Sequence, residues 1–420
     1  MTNRHIATPG DPPARSMAAA APASARMAHL DGLRGVAILA VLGFHYFSCF
    51  PTVYPYGSAW ADFPLFRWGH LGVQLFFAIS GFVIALTLER CTSLDDFVVR
   101  RFARLRPTML LCSVLSYVTL SLLPSPWPPK PADFLPSLTF IDGFVWNKLI
   151  PGLGAGWIDI AYWSLFVEVR FYALAALLWW ASPRRFAPLF FGLSTVVVAL
   201  YALLHAAGLG LRAEWLQWAF AAKFLPWFVV GVAARLVAVG RRRLGALGLG
   251  LAVLQTVCLL GIDDPQAQPV ALVAVMVLML GPLVSPRLAR WLGARPLAAV
   301  GAASYSLYLL HQYAGLAVVS AVSRAAGLEG PAALPVSLGV AAACIGLAFA
   351  IHRCWEGPIN DRLARGYATW RRGLKARAPR HAPPALPVPS SARLPWLPRP
   401  GWLQPRYPPA EIPRPGATPR

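Results

Sequence analysis

Residues 30–47 read LDGLRGVAILAVLGFHYF. Apart from Asp31 and Arg34 near its start and His45 near its end, the run is apolar on every side. A helix packed on a soluble core keeps a polar stripe, and this one has none. At 1.5 Å per residue its length suits the ~30 Å hydrocarbon layer of a bilayer. Comparable runs recur at roughly 33–50, 70–88, 107–123, 158–181, 186–205, 217–238, 244–261, 269–285, 298–321 and 332–352. They predict an all-α, polytopic integral membrane protein with about ten transmembrane helices.

Composition agrees. Of 420 residues, 57% are hydrophobic and 13% charged, against about 25% charged in soluble proteins. Mean hydropathy is +0.54. The formal net charge of +21 is gathered between the apolar runs, at Arg100–Arg106, Arg184–Arg185, Arg241–Arg243, Arg287–Arg295 and beyond Arg353. Alternate connections (89–106, 182–185, 239–243 and 286–297) carry the arginines, and the intervening ones are poor in Arg and Lys. The positive-inside rule then gives one orientation, with both termini cytoplasmic. The aromatic residues lie inside apolar runs and form no stacking platform, which argues against nucleic-acid binding. Six cysteines show neither a CxxC pair nor a metal-site spacing and read as buried thiols.

Three segments follow. Residues 1–28 are an Ala-, Pro- and Arg-rich cytoplasmic segment expected to be disordered, with an internal start at Met17 or Met27 expected. Residues 29–360 form the ten-helix membrane domain. Residues 361–420 are a Pro- and Arg-rich tail, also expected to be disordered. The connection 124–157 begins SPWPPKP and ends PGLGAGW; it is either a plain connector or a cover over an acceptor site.

Ionisable groups inside spans are costly and mark function or pairing. Arg34 and His45 are eleven positions apart, so they share a helix face about 16 Å apart, and Asp31 can pair with Arg34 at i,i+3. Arg34 is either a phosphate ligand or a membrane anchor, and His45 either a base or a helix–helix hydrogen-bonding group. In AYWSLFVEVRFYAL, Ser164, Glu168 and Tyr172 share a face, and Glu168 is the one acid deep in a span. It is either functional or part of a structural charge pair. In ASYSLYLLHQYA, Ser304, Tyr308 and His311 share a face, with His311 at nearly the depth of His45. That histidine is either part of the site or a satisfied core residue. Arg101 and Arg104 lie three apart and suit a phosphate, or serve only topology. Glu356, in WEGP, reads as a surface acid bridged to an arginine loop.

LDGLRGVAILAVLGFHYF with its R-x10-H spacing, FFAISGFVI (76–84), RRFARLRP (100–107), WSLFVEVRFY (163–172), SYSLYLLH (304–311) and WEGP (355–358) occur in that order. Together they resemble the acyltransferase 3 family across about residues 30–360. Arg106 departs from the apolar residue common before that proline. No SGNH-type domain is legible in 361–420, so the one-domain variant of the family is expected. The resemblance implies a bacterial inner-membrane, multi-pass enzyme. Its activity would be O-acyl transfer, with acetyl first among the acyl groups, from acyl-CoA to a hydroxyl of a surface polysaccharide, lipid-linked glycan or related acceptor. It implies His45 as the essential histidine, Arg34 ahead of it and Arg101 and Arg104 as the RxxR pair, with Glu168 and His311 at recurring polar positions.

The expected catalytic group is therefore His45 as base with Glu168 orienting it and Asp31 behind Arg34. Coenzyme A phosphates would be held by Arg34, Arg101 and Arg104. Trp163, Ser164, Tyr172, Tyr308 and His311 are the expected substrate contacts, and no metal is expected. Partners are the coenzyme A thioester, the hydroxyl-bearing acceptor and the lipid bilayer. The competing reading is a secondary transporter or flippase for a lipid-linked sugar.

Overall fold

The computed structural model describes residues 23–262 and 267–377. Residues up to Ala368 belong to one compact unit. A second begins at Thr369 and is described only to Arg377, where it is helical. The described residues contain helices and turns and no strand.

The main helices are α1 (Ala23–Phe47), α2 (Gly72–Arg90), α3 (Leu94–Leu122), α4 (Trp163–Ala181), α5 (Phe186–Ala206), α6 (Gly210–Phe220), α7 (Leu225–Ala238), α8 (Arg242–Leu259) and α9 (Ala267–Val284). They are followed by α10 (Arg295–Ala302), α11 (Ser304–Leu310), α12 (Tyr313–Ala325), α13 (Leu334–Ile351) and α14 (Gly357–Arg377). Among the described residues eight stretches are long and apolar enough to cross a membrane, and the pair α6–α7, bent by 61°, makes nine if it is counted as one span. The chain is a multi-pass α-helical membrane protein. The bend sits at Ala221, which takes φ +55°.

The ninth expected span, 298–321, is not one helix. It is broken at Ala303 and again at His311–Gln312, leaving α10, α11 and α12, each too short to cross alone. Sequence periodicity continues across such a break, because apolar character reports burial and not hydrogen-bond continuity. Two expected disordered segments are also partly helical: α1 begins at Ala23, and α14 runs to Arg377. The rest of both lies outside the described residues.

Close helix crossings are made by glycine, as expected where bilayer helices associate through small residues. A Cβ on Gly231 of α7 would lie 1.9 Å from the Ala78 carbonyl oxygen of α2, and one on Gly81 would lie 2.4 Å from that of Phe228. A Cβ on Gly301 of α10 would stand 1.6 Å from the Asp31 oxygen, and one on Gly35 of α1 2.3 Å from that of Leu297. The α1–α10 crossing thus fixes the Arg34 end of α1. Gly231→Val should force α2 from α7 at a cost of about 1–3 kcal/mol or more. The readout is the melting temperature and monodisperse yield in detergent, and wild-type values for both would contradict this packing account.

The connection after α3 is ordered. The Asp133 carboxylate accepts the Lys130 and Gly156 N–H groups, each at 2.8 Å, and the Asn147 amide pairs both ways with the Ala155 backbone at 2.8 Å. Two short helices, Phe134–Thr139 and Gly143–Leu149, lie within it.

Candidate active site

α1, α2, α3, α4 and α11 together line a cleft. Its polar groups are Arg34, Ser80, Arg104, Ser164, Glu168, Tyr172, Ser304, Tyr305 and Tyr308, set among Val73, Phe76, Phe77 and Leu105. A few convergent polar groups in an apolar cavity are the usual form of a ligand site.

The cationic end comes from α1 and α3. Arg34 Nη1 donates to Asp31 Oδ1 at 3.0 Å, the i,i+3 pair expected from the sequence. Arg104 also faces the cleft and makes neither a hydrogen bond nor an ion pair among the described residues. Arg101 is separated from them. Its Nη2 donates to Thr87 Oγ1 at 3.1 Å, and its guanidinium lies over the Phe97 and Tyr172 rings at 6.0 and 5.9 Å. Of the three expected phosphate ligands, two therefore share the cleft and one lies behind Tyr172.

Glu168 forms the middle of the cleft. Ser80 Oγ donates to its Oε1 at 2.6 Å and the Tyr172 hydroxyl donates to the same oxygen. It has no contact with His45, so the expected orienting role is not what the geometry gives it. Ser164 Oγ donates to the Tyr308 hydroxyl at 2.8 Å, and that hydroxyl donates to the Ala161 carbonyl at 3.0 Å. Trp163 lies against Phe77 and Phe224 and is not in the cleft wall.

The two histidines meet. His45 Nδ1 is 2.9 Å from His311 Nε2. His311 is fully buried, and its Nδ1 lies 3.2 and 3.0 Å from the Leu307 and Tyr308 carbonyl oxygens. Carbonyls accept only, so His311 Nδ1 carries a proton, and in a neutral ring Nε2 must then accept. His45 Nδ1 is the donor to it, which leaves the lone pair on His45 Nε2. His311, not Glu168, sets the tautomer of His45. The Tyr308 ring stands 5.6 Å from that of His311 and links the pair to the cleft.

The break after α11 makes this geometry, and Asp159 holds the break. Asp159 is fully buried. Its Oδ1 accepts the Ala161 N–H at 2.9 Å, and its Oδ2 the Tyr313 N–H, the first of α12, at 2.8 Å. Asp159 was not among the expected site residues. Its signal was an acid immediately ahead of an apolar run, a helix-capping position.

Asp159→Asn keeps one acceptor oxygen and loses the other, so it should loosen the break between α11 and α12 and lower activity. The melting temperature and the activity of the two folded proteins measure it, and wild-type values for both would contradict the assignment.

Ser80 and Tyr305 were also missed; the Tyr305 hydroxyl donates to the Leu105 carbonyl at 2.8 Å. Glu356 corrects an expectation. It is buried, and its Oε2 lies 3.4 Å from Ser306 Oγ and 3.3 Å from His352 Nδ1, and it forms no ion pair with an arginine among the described residues. It sits in a π-helical turn, His352–Glu356, which turns its side chain inward.

The sequence profile of the acyltransferase 3 family, described as an acyltransferase domain, matches residues 27–353, a stretch that includes every cleft residue and both histidines. The chain belongs to the acyltransferase 3 family. Among its relatives, the acyltransferase MdmB of Streptomyces mycarofaciens is 30% identical over 176 residues, 39% of this chain and 42% of the relative. The peptidoglycan O-acetyltransferase OatA of Listeria monocytogenes is 24% identical over 196 residues, 43% of this chain and 29% of the relative. An O-acetyl transferase of Shigella phage Sf6 is 34% identical over 89 residues, 21% of this chain and 25% of the relative. The chain thus matches less than half the length of each. No solved structure matches this acyltransferase 3 chain.

Proposed function

We propose that the chain is a membrane O-acyltransferase of the bacterial inner membrane. It would take an acyl group, acetyl first, from acyl-CoA on the cytoplasmic side to a hydroxyl of a surface polysaccharide, lipid-linked glycan or related acceptor. The observation that carries this reading is the pairing of His45 with His311, which leaves a base nitrogen about 16 Å along α1 from Arg34. Family membership and the two relatives named as O-acetyl transferases support acetyl transfer.

Arg34 and Arg104 hold the phosphates of the donor by charge-assisted hydrogen bonds, and the pantetheine arm runs through the cleft past Glu168 and Tyr308. Nε2 of His45 takes the proton of the acceptor hydroxyl as its oxygen attacks the thioester carbonyl. The C–S bond then breaks, and the departing thiolate takes the proton back. His311 holds Nδ1 of His45 and stabilises the imidazolium between these steps, as the orienting acid does in a triad.

The flippase reading has one observation in its favour: two spans are broken, as in transporters whose half-helices line a site. Purified protein given acetyl-CoA and a cell-envelope glycan extract separates the two. Acyl transfer predicts extract-dependent release of free thiol. A folded preparation that releases none with any acyl-CoA contradicts it and leaves flux of a lipid-linked sugar to be measured.

A further inference from the structure

Just beyond His45, aromatic rings from three separate segments meet at Phe50. Phe50 stacks on His45 at 6.4 Å between centroids. Trp127, from the ordered connection after α3, meets Phe50 edge-on at 5.2 Å. Tyr313, the first residue of α12, lies flat on Trp127 at 4.0 Å and 5° and meets Phe50 at 6.3 Å. All three rings are only partly buried, as is His45, while His311 beneath is fully buried. A cluster serving the core alone would be fully buried.

The rings are also held in place. The Tyr54 hydroxyl donates to the His45 carbonyl at 2.7 Å and accepts the Phe50 N–H at 2.8 Å, which fixes Phe50 against the end of α1. The Trp127 N–H donates to Ser125 Oγ at 3.1 Å, and Arg324 Nη2 donates to the Pro124 carbonyl at 3.2 Å. Beside the cluster runs an open groove whose walls include Thr52, Pro124, Ser125, Ser320 and Arg324. Hydroxyls, proline faces and one guanidinium next to rigid aromatic rings suit a molecule with apolar C–H faces and many hydroxyls. Aromatic rings supply contact area at little entropic cost.

We infer that Phe50, Trp127 and Tyr313 form the acceptor subsite, and that the acceptor is a glycan whose sugar ring packs on this cluster with one hydroxyl directed to Nε2 of His45. This rests on the acyltransferase reading and deepens it. Donor and acceptor approach the histidine from opposite ends of α1, so neither must leave for the other to bind. The connection 124–157 is then a functional cover, since it delivers Trp127.

The test varies glycan extract and acetyl-CoA separately and follows thiol release by wild type, Trp127→Ala and Trp127→Phe. The half-saturating extract concentration should rise roughly tenfold or more in Trp127→Ala, the scale of a lost stacking contact. Half-saturating acetyl-CoA should stay within about twofold, and Trp127→Phe should restore most of the extract affinity. Unchanged extract affinity in Trp127→Ala overturns the subsite. So does an equal loss of extract and acetyl-CoA affinity that Phe does not repair in folded protein, because that marks a structural role. Absence of His45-dependent release in wild type counts against the acyltransferase reading instead.

Discussion

His45→Ala should lower acyl transfer by about 10²–10⁴-fold, the usual worth of a positioned general base, while the protein still folds. The histidine is partly exposed and its ring contacts are with Phe44, Phe50 and His311, so truncation removes the base without emptying the core. His311→Ala should fall between wild type and His45→Ala. It leaves the base in place but takes away the acceptor that fixes Nδ1 as donor. His45→Asn separates packing from proton transfer, since an amide fills much of the space and cannot take the proton. Thiol release per folded molecule measures all three. Wild-type turnover by His45→Ala would remove the base assignment.

The second large effect is expected at Arg104. It faces the cleft and has no hydrogen-bond or ion-pair partner among the described residues, so its charge is available to a phosphate. Loss of a charge-assisted contact costs about 1.5–3 kcal/mol, which is roughly 10–100-fold in affinity. Arg104→Ala should therefore raise KM for acetyl-CoA by that factor with kcat little changed, because the contact is made equally before and during reaction. Arg104→Lys should recover part of it, as an ammonium cannot bind a phosphate bidentately. S-acetyl pantetheine, which lacks the nucleotide phosphates, supplies the control: wild type and Arg104→Ala should use it alike. Arg101→Ala should affect KM much less, since that side chain is held by Thr87 behind Tyr172. Equal effects at Arg101 and Arg104 would contradict this division.

Much of this was legible in the residues alone. Runs such as 269–285 are apolar all round, and that property reports the solvent directly. The i,i+3 pairing of Asp31 with Arg34 and the shared face of Glu168 with Tyr172 are consequences of helix geometry, and both occur. The His45–His311 contact was foreshadowed only as an equality of depth, because helix periodicity gives height and azimuth on one helix and not which helices adjoin. Glu168 was assigned to the imidazole for the same reason: the deepest acid and the deepest histidine are natural partners until Ser80 and Tyr172 are known to adjoin the acid. The break at His311–Gln312 was not legible, since its cause is Asp159, a residue more than 150 positions away in sequence. Trp127 lay in a connection with no periodicity to place it.

The central claim is that donor and acceptor reach His45 from opposite ends of α1. Proteoliposomes with one verified orientation, given radiolabelled acetyl-CoA on the Arg34 side and glycan extract on the Trp127 side, test it directly. The account predicts labelled glycan on the Trp127 side alone, absent with His45→Ala. Label appearing only when donor and glycan share one side would contradict it.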